Sequence, residues 1–408
     1  MKLNFFSKKK KTNHFLTLPS TNFQKKGFGK RKGGEIVLGL DVGTEAIKTL
    51  VFRRENNKNV ILGRALEYFE EPELFENFDF PEEILEKTIS KTIDSVQKIT
   101  KFDPKNVFLG LPANILKGEI IKQNFVRKNP KELINEAEAG EIYKEVFSNI
   151  QNIISQELSQ KTGLLPQDFY FSNFKILETK IDGYEVFSIQ KLKGENLEFR
   201  VLAVFLPKHQ LEKIKKVFQN LNLKISKIVH IVEHLSYLLD EKLSAIYIDV
   251  GGKLTNIFLV EKGKLVGISE FFQGGFNFTQ RLSQNLGLPH PEARMLKEDY
   301  SKLLLSEKTI IRIREIFFDI LGDWFENLKG NFKKFPQKLL PFNFFLFGGG
   351  SLLPEIPGIL EKGNWSNLTF ISKPKIKFIY PRDLKGIEDK PQLLNSPQDL
   401  PLLLISYE

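Results

Sequence analysis

Residues 35–69 read EIVLGLDVGTEAIKTLVFRRENNKNVILGRALEYF, and residues 242–275 read KLSAIYIDVGGKLTNIFLVEKGKLVGISEFFQGG. Each opens with a buried-strand pattern that ends on an Asp-Val-Gly turn. Each then continues as a second strand, reverses at a polar turn and returns as a third. Asp41-Val42-Gly43 aligns with Asp249-Val250-Gly251, 208 residues later, and the flanking apolar alternation aligns with it. A repeat at that distance predicts two related lobes rather than a short-period solenoid. In both, a three-stranded meander carries a carboxylate at the end of its first strand.

Outward from the first repeat, residues 84–99 carry Ile84, Ile89, Ile93 and Val96 at helical spacing, and a strand at residues 106–111 ends at Pro112. The material up to residue 222 exceeds what one lobe needs. It reads as strands at residues 107–111 and 118–126 and a helix with Ile142, Val146, Ile150, Ile154 and Leu158 every four residues. Strands at residues 169–177, 184–192 and 199–205 and a helix at residues 209–220 complete an α+β insert. After the second repeat come three helices, the last with Ile313, Ile316, Phe317, Ile320, Trp324, Phe325 and Leu328 on one face, then the strand and triple glycine of PFNFFLFGGGSLLPEIPGIL. A strand at residues 375–380 follows, and the apolar close SPQDLPLLLISYE reads as a segment packed on the body. The division expected is a basic tail without fixed structure (1–34), a first lobe (35–104 and 223–243), the insert (105–222) and a second lobe (244–408) with a reduced outer part.

Composition bounds the function. The 408 residues are 41% apolar and 27% charged, ordinary for a globular chain of two lobes. No apolar run approaches the ~20 residues of a spanning helix, and MKLNFFSKKKK shows no apolar core or cleavage site of a secretion signal. With no cysteine, disulfides, thiol catalysis and thiolate metal sites are excluded, and five scattered histidines argue against a histidine zinc site. The net charge of +10 sits entirely on residues 1–34, which hold ten Lys/Arg and no acid; the remaining chain has 50 bases and 50 acids. A basic nucleic-acid-binding face on the folded body is therefore not expected.

Three segments look built for a nucleotide: DVGTEAIK, DVGGKLT and FGGGSLLP. Turns of glycine and small residues let backbone N–H groups approach phosphate oxygens. An aspartate ending a buried strand holds a hydrated magnesium ion through waters. A triple glycine at a strand-to-helix turn admits a ribose or base close to the backbone. Singly, each motif also reads as an ordinary turn or helix start; their order and duplication make the joint case.

With these motifs in this order, the chain resembles the actin-like ATPase superfamily and, within it, the FtsA group of bacterial cell-division proteins. DVGTEAIK resembles the first phosphate motif, IDVGGKLTNIFLVEKGKLV the second and FFLFGGGSLLPEIPGIL the adenosine motif. EFFQGGFNFTQRLSQNLGLPHPEARMLKEDY resembles the stretch after the second phosphate motif. The insert lies where FtsA and the pilus-assembly protein PilM carry theirs. The resemblance implies an α/β, two-lobed actin-like (ribonuclease H-like) fold with an inserted α+β subdomain. It implies ATP and magnesium as ligands. Asp41, Gly43, Thr44 and Lys48 would face the phosphates from one lobe, and Asp249, Gly251, Gly252 and Thr255 from the other. Gly348, Gly349, Gly350 and Ser351 would line the adenosine, with Lys297 near the base or ribose. Asp41 and Asp249 would hold the magnesium through water.

The pattern also departs from the family. The usual D-I-G-G-G-T-T-D is here Asp249-Val250-Gly251-Gly252-Lys253-Leu254-Thr255-Asn256, and Lys253 reads either as a phosphate contact or as a solvated cation. Glu45 stands beside the phosphate turn, where its charge repels phosphate unless magnesium or Lys48 compensates. Arg294 replaces the acid of A-E-x-x-K. These changes imply ATP binding with weak or no hydrolysis.

By the resemblance, the chain is expected to be a scaffold on the cytoplasmic face of the cell membrane, assembling with itself and holding the C-terminal peptide of FtsZ. A PilM-like scaffold of pilus or secretion assembly, a small-molecule kinase or phosphatase of the superfamily, and a nucleotide-free structural member stand as alternatives. Contact with an anionic membrane is read onto Leu3, Phe5 and Phe6, followed by Lys8, Lys9, Lys10 and Lys11. Each apolar side chain would contribute roughly 1.5–3 kcal/mol on full burial and each lysine about 1 kcal/mol. One copy would bind weakly and an assembly strongly. A solvated tail is the competing reading.

Overall fold

The computed structural model describes residues 34–407 apart from 56, 57, 71, 73–80 and 239–241; the basic tail and its expected membrane contacts lie outside the described residues, save Gly34. The first meander is β1 (Glu35–Val42), β2 (Ala46–Glu55) and β3 (Lys58–Tyr68), antiparallel throughout. Helix α1 (Glu82–Thr100) lays Leu85, Ile89 and Val96 on this sheet and returns the chain to β4 (Asn106–Gly110), which runs parallel to β1.

The chain then leaves the lobe as β5 (Lys117–Val126), α2 (Glu136–Thr162), β6 (Phe169–Ile181), β7 (Tyr184–Glu185) and β8 (Asn196–Pro207). These strands form a separate antiparallel sheet in the order β5-β8-β6-β7. Helix α2 is started by Asn135, whose side chain accepts the Glu138 amide, and stopped by left-handed Gly163. Successive residues of β8 face opposite ways. Phe199, Val201, Ala203 and Phe205 pack into the cluster that holds α2, while Leu202, Val204 and Leu206 join the first-lobe core. Helix α3 (Lys208–Asn220) also buries its apolar face in that core, and β9 (Lys224–Val229) completes the first sheet beside β4.

The second lobe repeats the plan. β10 (Ala245–Val250), β11 (Thr255–Glu261) and β12 (Lys264–Phe271) form the meander. Helices α4 (Gly275–Leu286), α5 (His290–Ser301) and α6 (Glu307–Phe332) follow, then β13 (Asn343–Phe347), α7 (Glu355–Lys362) and β14 (Lys375–Phe378). The strand order β12-β11-β10-β13-β14 matches β3-β2-β1-β4-β9 in the first sheet, parallel and antiparallel neighbours alike. Both meanders also carry a register shift between their second and third strands, at Val51/Phe52 and at Leu259/Val260. Ion pairs fasten the insert to the second lobe: Lys264 meets Glu178 at 2.8 Å and also Glu185, and Lys117 meets Glu270.

The chain finally crosses back. β15 (Ile387–Glu388) pairs with β3, and α8 (Leu400–Leu404) fills the first-lobe core. Leu400, Leu402, Leu403, Leu404 and Ile405 are fully buried there, each stabilising the lobe by roughly 1.5–3 kcal/mol.

Three features differ from the expectation. β4, read as opening the insert at residue 105, is hydrogen-bonded between β1 and β9 inside the first sheet. The segment from 387 onward, read as second lobe, belongs to the first by pairing and packing. Only Tyr184 and Glu185 of the strand read at 184–192 pair in a sheet, and the chain later reverses through left-handed Lys191 and Gly194. Among the described residues, no helix is long and apolar enough to cross a membrane.

Candidate functional site

A cavity of about 640 Å³ lies between the lobes, and both Asp-Val-Gly turns and the triple glycine open onto it. Its walls follow from strand register. In the first lobe Asp41 sits opposite Lys48 across β1 and β2; in the second, Asp249 sits opposite Asn256 across β10 and β11. Lys48 Nζ lies 3.3 Å from Asp41 Oδ2, a pair largely shielded from water. Asn256 Nδ2 donates to Asp249 Oδ2 at 3.1 Å. The other oxygen, Asp249 Oδ1, is buried and without a hydrogen-bond partner. Burial raises this carboxyl from its ordinary 3.8 to about 6; Asn256 and Lys48 oppose the rise and Asp41 adds to it.

The turns close on themselves: Gly43 N donates to Ala46 O at 2.9 Å and Gly251 N to Leu254 O at 2.8 Å. They also meet each other, since Lys253 N donates to Thr44 Oγ1 at 2.8 Å across the lobes. A side chain at Gly252 would meet Thr44 Oγ1 and Glu45 Cβ, both at 2.9 Å, so only glycine permits this approach. The second turn continues into α4, with Gly275 N on Gly251 O (2.9 Å) and Phe276 N on Gly252 O (2.8 Å). Lys297 donates to Gly275 O at 2.7 Å, pinning α5 to the same point. Its burial lowers the amine's pKa, countered by the carboxylates of Glu45 and Glu298.

The triple glycine leaves β13 with Gly348 at φ +84°, a left-handed conformation that glycine adopts without strain. A Cβ there would lie 2.3 Å from Asp249 Oδ1. The C-terminal segment runs beneath: Gly348 N donates to Pro397 O at 3.1 Å, and buried Asp399 accepts Arg64 Nε of β3 at 2.8 Å.

Of the residues read from sequence, Asp41, Gly43, Thr44, Lys48, Asp249, Gly251, Gly252, Lys297, Gly348, Gly349 and Gly350 line the cavity together. Thr255 and Ser351 do not. Thr255 is fully buried, its hydroxyl donating to Gln273 O at 2.7 Å and accepting Trp324 Nε1 at 3.0 Å. It occupies the strand position of Ile47 in the first lobe, and alternation sends that position to the core while Lys48 and Asn256 face the cleft. Ser351 is fully buried and donates to Gly348 O at 2.7 Å, closing the glycine turn. Lys253 has its ammonium 4.6 Å from the Phe276 ring centroid. Sequence reasoning passed over Tyr68, Glu298 and Gln398, which also line the cavity. Tyr68 is signalled only by its place at the end of the third strand.

Among the described residues, no group of three or more His, Cys, Asp or Glu side chains is arranged to hold a metal ion. The cavity's two strand-end carboxylates suit an ion that arrives with its own ligands, and the unpartnered Asp249 Oδ1 is an acceptor such an ion's waters would satisfy.

This is the two-lobed fold of the actin-like ATPases, with an α+β insert in its first half. The sequence is 19% identical over 350 residues to the cell division protein FtsA of Streptococcus pneumoniae serotype 2 (strain D39 / NCTC 7466), spanning 79% of this chain and 72% of that one. Among solved structures it is similar to the PilM-PilN type IV pilus biogenesis complex, with a TM-score of 0.64 and 16% identity over 91% of this chain and 97% of that one. The ethanolamine utilization protein EutJ of Carboxydothermus hydrogenoformans gives a TM-score of 0.50 and 13% identity over 92% and 90%. No protein-family profile matches the sequence.

Proposed function

We propose that this chain binds ATP in the interlobe cavity and works as a scaffold whose lobe angle, and with it self-assembly, responds to the nucleotide. The convergence of both Asp-Val-Gly turns and the triple glycine on one cavity of about 640 Å³ carries the reading, a volume within the roughly 300–1,000 Å³ usual for small-molecule sites. Lys48 supplies positive charge for the phosphates. Asp41 and Asp249 would hold magnesium through water, and the ion would neutralise phosphate charge beside Glu45. With Asn256 opposite Asp249 in place of an acid, the second turn lacks a further carboxylate to activate water, so weak or no hydrolysis accompanies binding in this reading.

The likeness to FtsA supports a role in cell division, on the cytoplasmic face of the membrane, with the C-terminal peptide of FtsZ as partner. The fit to the PilM-PilN complex supports a second reading, in which a groove of the insert takes a short PilN-type peptide in pilus assembly. Anionic lipid contact through the basic tail belongs to either reading.

Calorimetry with ATP, with and without magnesium, tests the binding. Asp41→Ala and Gly349→Val are each expected to weaken it more than about tenfold. Gly349 is the informative site, because a Cβ there meets nothing nearer than the Gln398 side chain at 3.8 Å and the fold tolerates it. Absence of heat from the wild-type protein would overturn the proposal. Titration with labelled FtsZ and PilN peptides separates the two roles, each reading failing if only the other's peptide binds.

A further inference from the structure

We infer that Tyr68, Arg294 and Glu298 form a clasp across the cleft that sets how fast a ligand leaves; the inference rests on the nucleotide reading of the cavity. Tyr68 ends β3, and its position is fixed twice over. Register places it opposite Ala46, and the next amide, Phe69 N, donates to Glu45 O at 3.0 Å. Its ring therefore stands beside the first phosphate turn. From the opposite lobe α5 presents Arg294 and Glu298 one helical turn apart. The Tyr68 hydroxyl donates to Glu298 Oε1 at 2.7 Å, and the Arg294 guanidinium lies 3.5 Å from the Tyr68 ring centroid. Arg294 Nε is also 3.8 Å from Glu298 Oε1, so the three groups close on one another.

The clasp is linked to the phosphate end. Lys297, on the same helix, holds Gly275 O, and Gly275 holds the second phosphate turn. The Lys253 N to Thr44 Oγ1 bond also crosses the lobes, but it uses a backbone N–H of a phosphate turn. A triphosphate seated between the turns competes with Thr44 for that donor. The clasp is built from side chains alone and uses no backbone N–H of a phosphate turn. Seating a nucleotide thus releases the Lys253–Thr44 contact and leaves the clasp among those that hold the lobes over it. Arg294, which stands where the related motif has an acid, is spent on closure rather than on the ribose.

The variants are Tyr68→Phe, which keeps the ring under Arg294 and removes the hydroxyl, and Glu298→Gln, which keeps an acceptor. Hydrogen exchange on the ligand-free proteins is the first measurement, and release of a fluorescent ATP analogue with magnesium is the second. Tyr68→Phe should speed exchange at the end of β3 and along α5 together and accelerate release about tenfold, the scale of one hydrogen bond to a charged group. Glu298→Gln should stay within about threefold of wild type. Unchanged exchange in Tyr68→Phe overturns the clasp, whatever binds. Faster exchange with unchanged release overturns its control of the ligand. Faster exchange with no analogue bound by wild type overturns the nucleotide reading while leaving the clasp in place.

Discussion

The two Asp-Val-Gly turns share backbone, register and strand order, yet differ in charge. Opposite Asp41 stands Lys48, and opposite Asp249, at the equivalent strand position, stands Asn256. The first turn is an ion pair at 3.3 Å. The second is a carboxyl held by one amide, with a buried oxygen left over and its proton retained to about pH 6. The two lobes share the frame; the cross-strand residue sets whether the carboxylate has a cation beside it, and burial then raises the carboxyl that lacks one.

The largest expected effect comes from the backbone that crowds Asp249. Gly348→Val forces a side chain into a left-handed residue, 2.3 Å from Asp249 Oδ1 and 2.5 Å from Val250 O. A loss of about 3–5 kcal/mol, or failure to fold, is expected in urea unfolding. On the first-lobe side, a Cβ in Gly110→Ala crowds the Ile405 side chain at 2.8 Å, with Asp41 Oδ1 at an ordinary 3.5 Å, and the variant should lose about 1–2 kcal/mol. Equal losses would break the comparison.

Next comes pH. Between its ordinary 3.8 and about 6, Asp249 binds a proton in the native state that it has lost in the unfolded state. Its contribution to stability is therefore greatest below pH 4 and falls by about 3 kcal/mol as pH rises through 6. Unfolding of Asp249→Asn measured from pH 4 to 7 should lack that decline, and a decline identical to wild type would refute the assignment. Asn256→Asp places a second carboxylate against the first and should lower stability at pH 8 by about 2 kcal/mol, with recovery at pH 5. The smallest effect is Lys48→Met. Asp41 is 13% exposed with Lys48 in place and borders the open cleft, so water can replace the lost partner and about 1 kcal/mol is expected in the same assay.

The lobes and the insert were legible because apolar periodicity and the repeated Asp-Val-Gly turn are local signals. Partners in space were not. The run in β4 reads the same whether it joins the insert or β1, and nothing local says that residues 400–405 fill the distant lobe. Side was hidden as well. Thr255 matches a phosphate motif by letter, but its strand parity is that of Ile47, so its hydroxyl serves Trp324. Tyr68 carried no motif, and its meaning appears only when α5 arrives opposite.

The return of the chain to its starting lobe bears on biosynthesis. A ribosome reads residues 35–55 long before residues 400–405, yet these are neighbours in one interior. The first lobe emerges with a gap where Leu400, Leu402, Leu403, Leu404 and Ile405 belong, and it stays open until translation has delivered the other lobe. A chain that stops short of residue 400 thus leaves the apolar surface of that lobe open to water.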